Sequence, residues 1–146
     1  EWDFGTIQTI DPAGTESCRR VREGMRCWNQ PVQWWLQHYV HQRMPPWHPT
    51  LRATGTMLVS AYWHGLHGGY YLSFLSVPLW LAAERAAEAA LQRHWADGGG
   101  LLAAAPHWFL KMRVFEYLGV AFALRDAAST LRYWASIGFC LHLLPL

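Results

Sequence analysis

Residues 53–83 read ATGTMLVSAYWHGLHGGYYLSFLSVPLWLAA, 31 positions without Asp, Glu, Lys or Arg. A helix that crosses a hydrocarbon core about 30 Å thick needs about 20 apolar residues, so the stretch can enter a membrane and begin returning, or span it with a break. The break is visible at Gly65, Gly68 and Gly69. Glycine tolerates positive φ and close backbone approach, so the pattern predicts a helix, a short irregular turn and a second helix from about Tyr70. Charges resume at Glu84, Arg85, Glu88 and Arg93, with Glu84 and Glu88 one turn apart on what reads as a solvated helix end. Asp97-Gly98-Gly99-Gly100 reads as a loop.

Upstream, Cys27 to Gln42 (CWNQPVQWWLQHYVHQ) is again free of formal charge but rich in amides, imidazoles and indoles. Pro31 suits a first helical turn and Met44-Pro45-Pro46 ends the helix. Trp28, Val32, Trp35 or Leu36, Tyr39 and Arg43 recur at spacings of three and four, the stripe of a helix at or entering a membrane interface, where Trp and Tyr concentrate. Before it, Arg19, Arg20, Arg22 and Arg26 form a basic cluster that serves either as a juxtamembrane anchor or as a contact for phosphates. Downstream, Leu101 to Leu110 and Tyr117 to Leu124 are apolar blocks separated by Lys111, Arg113 and Glu116, either spans with snorkelling ends or helices packed inside a larger bundle. Tyr133 to Leu146 (YWASIGFCLHLLPL) is uncharged but short of a full span.

Composition agrees with this reading. Among 146 residues, Trp is 10 while charged residues are 15%, well below the roughly 25% of soluble globular domains. Lys and Arg total 12 against 10 Asp and Glu, so no basic excess supports a nucleic-acid partner, and the aromatic load excludes disorder. Three cysteines, Cys18, Cys27 and Cys140, lack CxxC spacing and imply neither a disulfide framework nor a thiolate metal site. Mean hydropathy of -0.02 averages uncharged segments with charged connections. The expected fold class is all-α, part of a polytopic membrane helical bundle, with residues 1–146 as a piece of a longer protein.

The position that carries most chemistry is His64. Counted from Arg52 as a water boundary, it lies twelve residues inward, about 18 Å at about 1.5 Å per residue. An ionisable side chain at that depth faces protein or a water-filled cavity and is a functional candidate. A buried imidazole stays neutral and accepts protons, as a general base must. Asn29 reads either as an N-cap before Pro31 or as an amide that orients a carbonyl or stabilises an oxyanion. Ser60, four residues before His64, is a helix-packing residue or a nucleophile. His38 with His41 repeats the HxxH spacing of His64 with His67, but no third ligand stands at a persuasive distance, so no metal is expected. Those two read as polar groups on a wet helix face. Cys27 has no evident base and reads as structural.

The segments Trp28-Asn29-Gln30-Pro31-Val32-Gln33-Trp34-Trp35-Leu36 and Leu58-Val59-Ser60-Ala61-Tyr62-Trp63-His64-Gly65-Leu66-His67, in that order, resemble the two signature segments of the membrane-bound O-acyltransferase (MBOAT) family. The likeness continues through Tyr70 to Phe74, His107 to Arg113 and Thr130 to Ile137, and is greatest to members that acylate lysophosphatidylinositol. The resemblance implies a multi-pass protein of endoplasmic-reticulum membranes whose catalytic residues are His64 and Asn29. It implies acyl-CoA as co-substrate with no further cofactor, an arachidonoyl group as the one transferred, and a lysophospholipid as acceptor. A fragment of this length is expected to be inactive alone. One departure is Gly68, where the family pattern leads us to expect Pro before Gly69, which places the local turn geometry in question. Another lysophospholipid acceptor and a non-enzymatic lipid-binding bundle are the alternative readings.

Overall fold

Asp11 opens the first helix by accepting a hydrogen bond from the Gly14 amide at 2.9 Å, and the computed structural model describes residues 8–94 and 100–144 from there outward. Two short helices, α1 (Pro12–Ser17) and α2 (Val21–Cys27), precede α3 (Gln30–Trp35). The chain then passes through a π turn at Leu36–Val40 and a 3-10 turn at His41–Arg43 before α4 (Pro49–His64) runs back. Two long helices follow, α5 (Gly68–His94) and α6 (Gly100–Leu124), then α7 (Ala127–Ser136) and α8 (Cys140–Leu143). The described residues contain helices and turns and no strand, as expected.

The core lies between α5, α6 and α7. Val77, Trp80, Val114, Tyr117, Leu118, Ala121 and Trp134 are buried there, joined by Val21 from α2 and Met57 from α4. Tyr117 and Trp134 stack with ring planes 8° apart, and the Trp134 indole N–H donates to the Tyr117 carbonyl. Helices α5 and α6 are antiparallel: the Gly69 amide donates to the Arg125 carbonyl at one end, the Ser73 hydroxyl to the Leu118 carbonyl further along, and Glu84 meets His107 toward the other.

Six- and seven-residue helices are too short to persist on their own, and α1 and α2 are held by charged groups from the long helices. Glu84 accepts from the Val21 amide at 2.7 Å, satisfying a free N–H at the start of α2. Lys111 donates to the Thr15 and Glu16 carbonyls at 2.8 and 3.0 Å, satisfying the C-terminal end of α1. Each charge has the sign that the helix end favours. Gly24 completes the contact, since a Cβ there would lie 2.5 Å from the Phe115 ring.

Two expectations are corrected. Glu84 does not sit on a solvated helix end: it is 8% exposed, because capping α2 brings it inside. Its neighbour Glu88 forms an ion pair with Arg20. The apolar blocks at 101–110 and 117–124 are one helix, because Lys111, 1% exposed, is absorbed by its carbonyl partners instead of interrupting α6. Within the uncharged 133–146 segment, Phe139 adopts φ 48° between α7 and the four-residue α8. Among the described residues no helix is long and apolar enough to cross a membrane. The 16 residues of α4 reach about 24 Å at about 1.5 Å each, and the second half of α5 is charged. Apart from Gly100, the predicted loop at 97–100 lies outside the described residues.

Candidate active site

The predicted break takes its expected form. Helix α4 ends at His64, Gly65 follows with φ 131° and ψ −175°, a conformation open only to glycine, and α5 starts at Gly68. Gly69 is required for packing: a Cβ there would stand 2.7 Å from the Arg125 carbonyl oxygen. Gly68, the departure from the expected pattern, also has a packing role, since its Cβ would lie 2.7 Å from that of Ala127. The turn is therefore closed down on the α6–α7 corner.

That closure surrounds His64 with aromatic rings. Phe74 stacks on the imidazole with centroids 5.0 Å apart and planes 19° apart. Phe122 meets it edge-on at 5.0 Å, and Tyr70 lies at 5.9 Å. The rings fix the plane of the imidazole without occupying its nitrogens, and no hydrogen bond to either nitrogen is present among the described residues. The side chain is half-buried, while its neighbours Tyr62, Trp63 and Leu66 are exposed as a large apolar rim. Such a rim marks a surface for lipid or for further protein.

Asn29 occupies the N-cap position of α3 in the left-handed region, with φ 42° and ψ 55°. Asparagine tolerates that region better than other side chains. Its carbonyl accepts from the Gln33 amide, but its side chain makes no capping bond. The amide is thus free of the structural duty that its position suggests. The turns that follow α3 pack on α4: His41 meets Thr56 at 3.1 Å through Nδ1, and the Arg52 guanidinium donates to the His41 carbonyl at 2.8 Å. Asn29 immediately precedes α3 and His64 is the last residue of α4. No hydrogen bond joins them among the described residues.

The remaining candidates separate. Ser60 is buried, and no hydrogen bond links it to His64 among the described residues, so no Ser–His dyad is present there. His38 and His41 diverge: His38 Nδ1 meets the Trp34 carbonyl and is exposed, as predicted, whereas His41 turns inward to α4. Among the described residues no group of three His, Cys, Asp or Glu side chains could hold a metal. Cys27 is a free, half-buried thiol. Sequence reasoning missed the aromatic cage. Tyr70 and Phe74, one turn apart just past the glycine break, were a usable signal; Phe122 had none, being brought in by the α6–α7 corner.

A profile of the membrane-bound O-acyltransferase family matches residues 2–124. The chain belongs to the membrane-bound O-acyltransferase family. It is 54% identical over all 146 residues to the mouse (Mus musculus) membrane-bound acylglycerophosphatidylinositol O-acyltransferase and 53% identical to the human (Homo sapiens) one, covering 31% of the length of each. The corresponding protein of Caenorhabditis elegans is 33% identical over 151 residues, 99% of this chain and 31% of its own. The chain thus spans about a third of the length of these MBOAT relatives. The exposed aromatic rim and the uncharged turn around His64 agree with membership of a membrane-bound family.

Proposed function

We propose that the chain is the His64- and Asn29-bearing portion of a lysophospholipid acyltransferase that transfers an acyl group, arachidonoyl by preference, from acyl-CoA to the free hydroxyl of lysophosphatidylinositol. The observation that carries this reading is the likeness along the whole chain to proteins named as acylglycerophosphatidylinositol O-acyltransferases. It is supported by a His64 ring held by Phe74 and Phe122 with neither nitrogen hydrogen-bonded among the described residues. The protein acts in the endoplasmic-reticulum membrane as a multi-pass bundle, with the remaining helices of the fold completing the chamber.

The transfer is direct. His64 accepts the proton of the glycerol hydroxyl as that oxygen attacks the thioester carbonyl. Asn29 donates to the carbonyl oxygen, orienting the donor and stabilising the charge that develops there. The new C–O bond forms as the C–S bond breaks, and the proton passes from His64 to the departing CoA thiolate. The test uses microsomes containing the full-length gene product, arachidonoyl-CoA and a panel of lysophospholipids. His64→Ala and Asn29→Ala are expected to abolish transfer at equal expression, with lysophosphatidylinositol the best acceptor. Near-normal turnover in both variants would overturn the assignment, and a better acceptor in the panel would change the substrate.

A further inference from the structure

Helix α8 carries a second histidine enclosed by aromatic rings, and this one has both nitrogens engaged. His142 lies edge-on to Tyr117 and Trp134 with centroids 5.3 and 4.5 Å away, and Phe139 stands at 6.1 Å. Its Nδ1 is 2.7 Å from the Tyr117 hydroxyl and its Nε2 is 2.9 Å from the Ser76 hydroxyl. Ser76 donates its own proton to the Leu72 carbonyl, one turn back on α5. It therefore accepts from Nε2–H, and Nδ1 of the neutral ring accepts from the Tyr117 hydroxyl. One imidazole is thus a donor toward α5 and an acceptor toward α6.

Those two helices also supply rings around His64: Phe74 comes from α5 and Phe122 from α6. Ser76 follows Phe74 by two residues and Tyr117 precedes Phe122 by five. At about 100° per residue these steps turn the helix by about 200° and by about 140° beyond a full circle. His142 therefore holds both helices from faces well away from the ones that meet His64. The Ser73 hydroxyl, bonded to the Leu118 carbonyl, is a second point of attachment between the same helices, and two points fix a rotation where one leaves a pivot. With the Phe74 and Phe122 ring centroids 6.1 Å apart, a small rotation of α5 against α6 would turn the rings that orient the His64 imidazole.

We propose that His142 is a positioning residue for the transfer reaction: it bolts α5 to α6 beside the aromatic cage and, through Phe74 and Phe122, sets the plane of the His64 ring. This rests on the acyl-transfer reading above. The test is the kinetics of the full-length protein in microsomes with arachidonoyl-CoA and lysophosphatidylinositol, at matched amounts of folded protein. His142→Leu removes both bonds and is expected to lower kcat about tenfold with KM for either substrate unchanged. His142→Gln keeps a donor and an acceptor on one planar group and is expected to recover most of that loss. Action through the cage also requires coupling, so in a Phe74→Leu background His142→Leu is expected to cost less than about a further twofold. Tyr117→Phe removes the hydroxyl but keeps the ring that stacks on Trp134, and it carries the same kcat readout and the same coupling if His142→Leu fails to fold. An unchanged kcat, no recovery with glutamine, or a loss of full size in the Phe74→Leu background would each overturn the proposal and leave the acyl-transfer reading standing. Wild-type protein inert toward these substrates would overturn that reading and this proposal with it.

Discussion

The His64 imidazole lies nearly flat against the Phe74 ring, centroids 5.0 Å apart and planes 19° apart. Stacking sets the ring plane and leaves the nitrogens without a hydrogen-bond partner among the described residues, so under the proposed acyl transfer Phe74 is a positioning residue. Phe74→Leu keeps the volume largely apolar but removes the flat surface. Misplacement of about 1 Å can cost about a hundredfold in rate, so kcat is expected to fall by one to two orders of magnitude, roughly, with little change in KM. An apparent melting temperature near wild type would separate this from loss of fold.

Gly68 and Gly69 bear the closure of the turn. Gly69→Ala drives a methyl group into the Ala121 and Arg125 carbonyls and is expected to cost about 1–3 kcal/mol, as overpacking does. Gly68→Pro is the more informative change, because proline normally suits a first helical position. Here Ala127 occupies the space, so the substitution is expected to lower thermal stability, and Ala127→Gly in the same protein to recover much of the loss. Scanning calorimetry of the solubilised protein reads both.

Lys111 holds α1 through two carbonyls and is almost fully buried. Lys111→Met preserves the packing of the stem but leaves those carbonyls unsatisfied, at a cost of about 1–3 kcal/mol. Hydrogen exchange is expected to accelerate first in residues 12–17, the helix whose end is released.

Glu84 and His107 join α2, α5 and α6 outside the uncharged 53–83 stretch. Burial opposes the Glu84 charge, yet the hydrogen bonds from His107 and the Val21 amide bring its pKa below the ordinary value. The same bond, donated to Glu84, raises the His107 pKa above its ordinary 6.5, against burial. A lowered carboxylate contributes stability above its unfolded pKa that is lost as pH falls through the folded one; a raised imidazole contributes below its unfolded pKa and loses it as pH rises through the folded one. Thermal stability is therefore expected to be greatest between the ordinary values of 4.5 and 6.5 and to decline on both sides. Glu84→Gln should flatten both limbs, and an unchanged profile in that variant would exclude the pair as their source.

The local punctuation was legible in sequence. Gly65 to Gly69 marked the helix break, Pro31 and Met44-Pro45-Pro46 marked the limits of the α3 arm, and His64 stood out as an ionisable group deep in an uncharged run. Charges were harder to read. Lys111 and Glu84 looked like interruptions or solvated ends, because their partners are the Thr15 and Glu16 carbonyls and the Val21 amide, groups that every residue carries and that no side-chain pattern announces. The aromatic cage was half visible for a similar reason: Tyr70 and Phe74 are local to the break, whereas Phe122 arrives through the packing of Gly69 on Arg125. Asn29 showed its position but not its freedom, since a side chain at an N-cap is expected to make the bond that this one omits.

The π turn at Leu36–Val40 is equivalent to one extra residue inserted into a helix that absorbed it without breaking. Because one widened turn takes up the extra residue, the helix on either side of it keeps nearly the faces that a regular helix one residue shorter would give. With His41 anchored on Thr56, deleting a single residue between 36 and 40 is expected to restore a regular helix and leave Asn29 facing much as it does now. The arm thus tolerates a change of length without a change of aim, at the cost of one turn of looser hydrogen bonding.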